Sequence, residues 1–495
     1  MSIKQHRKIT KAETIETDIV VIGGGGAGLA AAIAASEKRA NVIILEKAKG
    51  LGGNTAMASG LFAVESPVQK RMGLDVRRDD FFKIAMSYSH WEINPRIVRA
   101  WLNKSGDTIR WLEEKGVKFE MVSILFSGQV YPVYHVLKGD GPEMVKEMVK
   151  NCENQGTRIV RQTRVKRILI TKRGNVIGVL AAKKEKEFRI TAKSVIIATG
   201  GYGGNKALLK KYCPSYTESL NYFGVPLNLG DGLLMAIKIG ANTEGLGTLL
   251  AHAPYFSGRW HQAVVLSIVA VEPYTIWVNK KGERFIDEGT PLNFLEGSNA
   301  LDRQPGKVSY HLFDEKMKQS MIQKGVKEGA GEFWPDHHIP KTMMVDLEKR
   351  LQSETDKGSV RISNSWDDIA KWIGVAPEGL KATVDEYNHF CDQEYDEIFA
   401  KDQKYLQPLR TPPYYAIKCI QAFLDTTGGI KINHHMEVLD HRDNVIPGLY
   451  AAGVAAGGWE TKTYCFMLTG SALSFAINSG RIAGESAAKY VTEGY

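Results

Sequence analysis

At 495 residues, with 43% hydrophobic and 24% charged residues, the chain is too long for one simple domain and too apolar to be disordered; roughly 150 residues per domain gives two to four units. No stretch reaches the roughly 18 uninterrupted apolar residues of a bilayer span. Met1 to Thr17 reads as a short arm with neither an apolar export core nor paired arginines, so a cytoplasmic location is expected. The net charge of +9 comes from lysines and arginines interleaved with acids, which reads as a solvated surface with attraction for an anionic ligand rather than a nucleic-acid face. Five cysteines, none spaced as C-x-x-C, argue against a disulfide framework, an iron–sulfur cluster or any metal site.

The first strong signal is the apolar run Asp18 to Ile22, followed by Gly23-Gly-Gly-Gly26-Ala27-Gly28 and an alanine-rich stretch to Glu37. It predicts a buried parallel strand, a tight turn and a helix, and Asn41 to Leu45 supplies a second strand ending at Glu46. This is a βαβ unit, the start of a doubly wound sheet. From about Asp75 to Asn154 the pattern is helical, with apolar periodicity in Ile97–Glu114 and Glu143–Asn151. Arg164–Thr171 and Val176–Ala182 read as a hairpin turning through Lys172 to Asn175, and Ser194–Ala198 as another buried strand running into Thr199-Gly200-Gly201. Between about Leu246 and Ala422 the composition shifts to aromatics, prolines and charged helices, the mark of an inserted domain. Gly448 to Gly453 and the helix Gly470–Tyr490 then return to nucleotide-binding style. No internal repeat is apparent.

Gly23, Gly25 and Gly28 fit G-x-G-x-x-G between a strand and a helix, and Glu46 follows Gly28 at a spacing of 18 residues. The glycines permit the turn, let backbone approach a pyrophosphate and let the helix pack on the strand. The helix N-terminus then stabilises the negative charge, and Glu46 is placed to hold the ribose hydroxyls. The reading is a Rossmann-like site for a dinucleotide.

Beyond the acid come Lys47, Gly52-Gly53-Asn54-Thr55-Ala56 and Ser59-Gly60. Later stand Ala198-Thr199-Gly200-Gly201, Gly230-Asp231-Gly232, Asn279 to Phe285, Thr427-Gly-Gly429 and Pro447 to Gly453. In type and order these resemble the fumarate reductase and succinate dehydrogenase flavoprotein superfamily, which includes 3-ketosteroid dehydrogenases, and the resemblance is nearer to those enone-acting members than to true fumarate reductases. It implies an α/β FAD-binding domain, 1–245 and 423–495, interrupted by an α+β capping domain, 246–422. It also places Gly52, Gly53, Asn54 and Thr55 along the pyrophosphate and flavin, Val165 beside the adenine, and Gly453, Ser471, Ala472 and Leu473 around the ribitol and ring. Val454 stands where the family carries a glutamate. The attachment histidine of succinate dehydrogenases is missing, which implies non-covalent FAD.

A buried dicarboxylate needs cations. The arginines that the resemblance would place in Asp287–Glu296 and in Cys465–Gly470 are absent, as is the histidine just before Thr-x-Gly-Gly, where Phe423 to Gly428 stands. Of the fumarate-site histidines only His252 has a counterpart. In their place are Tyr255, Phe256, Trp260, Tyr274, Trp277, Trp459, Tyr464, Phe466 and Met467. Such residues suit a flat, largely apolar ligand. The expectation is an oxidoreductase moving a hydride between flavin N5 and a carbon–carbon double bond conjugated to a carbonyl, in a small apolar steroid-like or flavonoid-like substrate. Tyr464, Tyr274, Tyr255 and His252 are the candidate proton-transfer or carbonyl-polarising residues, and an unidentified electron donor or acceptor completes the cycle. Two alternatives stay open. One is a reductase of a small unsaturated acid using His252 and cap arginines such as Arg259; the other is a flavoprotein electron-transfer subunit.

Overall fold

The structure, a computed structural model, describes residues 14–123, 131–256, 260–289, 294–326, 344–460 and 462–493, without the side chains of 14, 252–253, 260–264 and 294. Its organising element is a six-stranded sheet. β1 (Ile19–Ile22) is followed by α1 (Gly26–Glu37) and β2 (Val42–Leu45), as the apolar runs and glycines predict. After α2 (Pro95–Glu114), the sheet gains β3 (Arg158–Val160) and β4 (Ser194–Ile197). The long strands β5 (Leu249–Phe256) and β6 (Tyr414–Thr426) belong to a separate sheet. The chain then returns through β7 (Val445–Ala451) to α3 (Ser471–Glu493).

The strand order is Glu437–Leu439, β7, β4, β1, β2, β3, parallel except for the Glu437–Leu439 edge. All four residues of β1, β2 and β4 are buried, as expected for a parallel sheet covered on both faces. α1 and α3 pack directly on each other. A Cβ on Gly480 would sit 2.3 Å from the Ala27 carbonyl oxygen and one on Gly484 2.2 Å from that of Ala31, so only glycine permits this approach.

A second hydrophobic core lies within Phe256–Cys419, around a sheet in which β6 pairs with β5, Val308–Asp314 and Val360–Ser363. The Asn279–Phe285 motif serves this core. Arg284 donates to Glu288 and Asp396, each at 2.8 Å, and Lys401 reaches Glu288 at 3.1 Å; all four side chains are at most 3% exposed. β6 runs continuously from this core, through residues 422 and 423, to Thr426 beside the first sheet.

The sequence-based helical reading of 75–154 holds for Arg78–Tyr88, Pro95–Glu114 and Asp140–Asn154. It missed a three-stranded sheet of Gly60–Phe62, Tyr134–Leu137 and Phe119–Ser123. Strands of three to five residues carry too little alternation to read, and here they are defined by pairing between distant segments, such as Gly60 with Val136. Among the described residues no helix is long and apolar enough to cross a membrane.

Candidate active site

A cavity of about 620 Å³ opens at the carboxyl ends of β1, β2 and β4 and runs toward the second core. One end is a glycine cradle. Gly23 adopts φ +108°, and a Cβ there would sit 2.3 Å from the Ala198 carbonyl oxygen; one on Gly28 would sit 2.0 Å from that of Gly23. Both glycines therefore serve the strand–turn–helix itself. Gly25 differs, because a Cβ there would meet nothing closer than the Gly52 oxygen at 3.6 Å, so the protein itself leaves room at this position. No side chain caps α1 at Gly25, and the Gly26 N–H donates to Thr55 Oγ1 at 3.1 Å.

Glu46 Oε2 accepts from the Gly24 N–H at 2.8 Å and Oε1 from the Ala48 N–H at 2.7 Å, so the acid also fixes the turn it follows. Lys47 bonds the Leu227 carbonyl and reaches Asp231 at 2.5 Å; Arg164 reaches Asp231 at 2.6 Å. Burial raises the pKa of Asp231, but the two cations outweigh it and hold the carboxyl below its ordinary value.

The cradle end is lined by Gly23, Gly25, Gly26, Ala27, Glu46, Lys47, Gly52, Gly53, Asn54, Thr55, Ser59, Gly60, Val165, Ala198, Thr199, Gly200 and Asp231, and by Gly453, Val454, Ala472 and Leu473 from the C-terminal segment. Gly28 and Ser471 stand just behind this surface: the first packs α1 on β1 and the second bonds Tyr464.

The far end is largely apolar, with Phe223, Val225, Leu250, Pro254, Ile268, Val271, Leu424 and Phe466 on its wall beside the polar Asn228, Ser267 and Asp425. Tyr255 and Phe223 stack with centroids 5.4 Å apart and planes within 2°. The Tyr255 hydroxyl is buried and has no hydrogen-bond partner among the described residues, and burial pushes its pKa up to about 12. Tyr464 lines the cavity between the two ends. Its oxygen accepts from Ser471 Oγ at 2.5 Å and from the Ala472 N–H at 2.9 Å, and burial raises its pKa well above the usual phenol value.

A family model described as an FAD binding domain matches residues 18–463. The chain belongs to this family. It is similar to the vinyl phenol reductase of Lactiplantibacillus plantarum, with 30% identity over 97% of this chain and 98% of that one. The solved open conformation of a flavocytochrome c3 fumarate reductase is 28% identical, over 97% of this chain and 79% of the other, with a TM-score of 0.75. The 3-ketosteroid-Δ4-(5α)-dehydrogenase of Rhodococcus jostii RHA1 is 22% identical, over 97% and 98% of the two chains, with a TM-score of 0.75; at that identity the likeness is one of fold. The protein is thus a member of the fumarate reductase-like FAD flavoproteins, an FAD-dependent oxidoreductase acting on CH–CH bonds. The cradle fits FAD, since glycine backbone at the N-terminal end of α1, with open space at Gly25, leaves room for a pyrophosphate to approach.

The four candidate chemical residues separate. Tyr464 and Tyr255 line the cavity. Tyr274 is not on its lining; it packs edge-on against Tyr405, 5.7 Å away, at the margin of the second core. His252 lies on β5 with its backbone opposite Ala422, and its side chain lies outside the described residues, as does Arg259. Trp277 and Trp459 are core residues, the latter stacked on Phe475 at 4.4 Å.

The sequence reading did not single out Phe223, Asn228 or Asp425. Asn54 Nδ2 donates to Asp425 Oδ2 at 2.8 Å while Asn54 Oδ1 accepts from the Val225 N–H at 2.8 Å, so the glycine-rich loop after β2 is tied to both segments. The only available signal was Asp425 itself, a lone acid in an apolar strand just before Thr-Thr-Gly-Gly.

Proposed function

We propose that this protein reduces the carbon–carbon double bond of a flat alkene conjugated to an aromatic ring or carbonyl, with a phenolic alkene as the substrate class. The observation that carries the reading is the charge of the far wall. Among the described residues, Lys47 and Arg164 are the only cations lining the cavity, and both are engaged by Asp231 at the cradle end. A dicarboxylate buried against Phe223, Tyr255, Leu424 and Phe466 would go unpaired at a cost of several kcal/mol, on the order of the penalty for an uncompensated buried charge. An aromatic ring gains from the same wall by stacking and area burial. The similarity to a vinyl phenol reductase supports this choice.

In this reading Gly25, Gly52, Gly53 and Thr55 hold the pyrophosphate of FAD, Glu46 the ribose, Val165 the adenine side, and Gly453, Ala472 and Leu473 the ring end. When bound and reduced, FAD supplies a hydride. Tyr464 supplies the proton to the neighbouring carbon. Its oxygen is occupied as an acceptor by Ser471 and Ala472, which leaves its own hydrogen for the cavity. Its raised pKa keeps the hydroxyl protonated, so it carries the proton to be donated and is not available as a base. Tyr255, with a hydroxyl that no described residue engages, polarises a substrate oxygen.

The test is anaerobic reoxidation of the photoreduced enzyme by 4-vinylphenol, a steroid enone, urocanate and fumarate. The expected outcome is fastest reoxidation by 4-vinylphenol. Fumarate as the best oxidant would overturn the reading.

A further inference from the structure

Asp425 has no function in the mechanism above, yet its side chain lines the cavity and is costly where it stands. It lies near the end of β6, its backbone opposite Leu250, and is 4% exposed. Its partners are Asn54 Nδ2 at 2.8 Å and Asn228 Nδ2 at 3.5 Å on Oδ2, and the Thr426 N–H at 2.9 Å on Oδ1. Every donor is neutral, and no ion pair to Asp425 occurs among the described residues. Both oxygens accept from these neutral donors, which an amide could match at only one of them, so the internal contacts orient the carboxyl without neutralising it. Burial pushes the carboxyl up to about 7. A buried acid without a cation, facing a cavity, marks a group kept for a ligand.

Its surroundings define that ligand. Leu424, Leu250 and Val225 leave the neighbouring wall apolar. The Phe223 N–H donates to the carbonyl of Phe423, two residues before Asp425, and the Phe223–Tyr255 stack lines the same cavity as the carboxylate. A carboxylate offers about four acceptor sites, and three are used here. The remaining acceptor suits a hydroxyl on the edge of a ring lying along that stack.

We infer that Asp425 is a specificity-determining residue whose carboxylate accepts a hydrogen bond from a ring hydroxyl of the substrate, selecting phenolic alkenes over unsubstituted or etherified ones. This inference rests on the function proposed above and names the group that reads the phenol.

The test is equilibrium binding of product-like ligands to the oxidised holoenzyme, followed by calorimetry and by the flavin absorbance. 4-Ethylphenol, 4-ethylanisole and ethylbenzene differ only at the ring substituent. The parent enzyme is expected to prefer 4-ethylphenol by ~10-fold or more, the direction set by a site built to hydrogen-bond a hydroxyl. D425N, nearly isosteric and still able to accept from Asn54, is expected to retain FAD and bind 4-ethylanisole as before, with the preference reduced to within about twofold. An unchanged preference in D425N would overturn the inference. If D425N loses FAD, D425S is read against the same outcomes. Equal binding of the phenol and the anisole by the parent enzyme overturns the inference alone. Binding of neither, together with fastest reoxidation by fumarate, overturns the proposed function and this inference with it.

Discussion

The oxygen of Tyr464 is held by Ser471, at 2.5 Å from its Oγ, and by the Ala472 N–H at 2.9 Å, so the start of α3 and the rim of the cavity are fixed to one another through a single phenol. Ala472 also lines the cavity at the cradle's C-terminal side. The proposed proton donor is thereby positioned by the helix that closes the cofactor site.

Y464F removes the hydroxyl and leaves both donors without their acceptor. Single-turnover reoxidation by the preferred alkene is expected to slow by ~100-fold or more, the usual worth of a positioned general acid. Stability should fall by about 1–3 kcal/mol, the cost of buried donors left unsatisfied. FAD content is expected to persist. An unchanged rate would assign Tyr464 to packing and move the proton to Tyr255 or His252.

G25V tests the cradle separately from the fold. The protein around Gly25 has room for a small side chain, whereas the bound pyrophosphate does not. Apo G25V should unfold at the same temperature as the apo parent yet fail to retain FAD. G28A should instead unfold early, because its Cβ would sit 2.0 Å from the Gly23 oxygen. Acid precipitation of the parent should leave all yellow colour in the supernatant; colour on the pelleted chain would contradict non-covalent binding.

Glu460 gives a pH signature. It is fully buried beside Tyr464 and Cys465, and burial, opposed by the Cys465 N–H, pushes its pKa up to about 8 from an ordinary 4.5. Between those values the native protein carries a proton that the unfolded chain lacks, so this group makes stability fall as pH rises, and the loss is complete above about pH 8. E460Q should remove that slope. The gap in melting temperature between variant and parent should widen from pH 5 to pH 8 and then level off. A gap independent of pH would show Glu460 ionised throughout.

Arg284 tests the second core. R284M leaves Glu288 and Asp396 buried without their shared cation, with Lys401 and the Trp277 N–H still serving Glu288. The expected loss is about 3–5 kcal/mol, read by urea unfolding. A loss below about 1 kcal/mol would place the network among interactions of surface strength.

The nucleotide-binding half was legible in the sequence because its determinants are local. Four-residue apolar runs bounded by glycine suit a sheet covered on both faces, and Gly23 and Gly28 act within a few residues of one another on a turn whose close approaches exclude a Cβ. Likewise, the absence of arginine from Asp287–Glu296 and Cys465–Gly470 is a fact of composition. The tertiary structure decided which polar groups meet the substrate. Tyr255 and Tyr274 look alike in sequence, but the pairing of β5 with β6 puts one on the cavity wall, while packing against Tyr405 takes the other away from it. Asp425 reads as a single acid in a strand until β6 carries it past the second core to Asn54, a residue 371 positions earlier. Successive strand residues point to opposite faces, so the face that each shows to the cavity is set by long-range register, which no local pattern records.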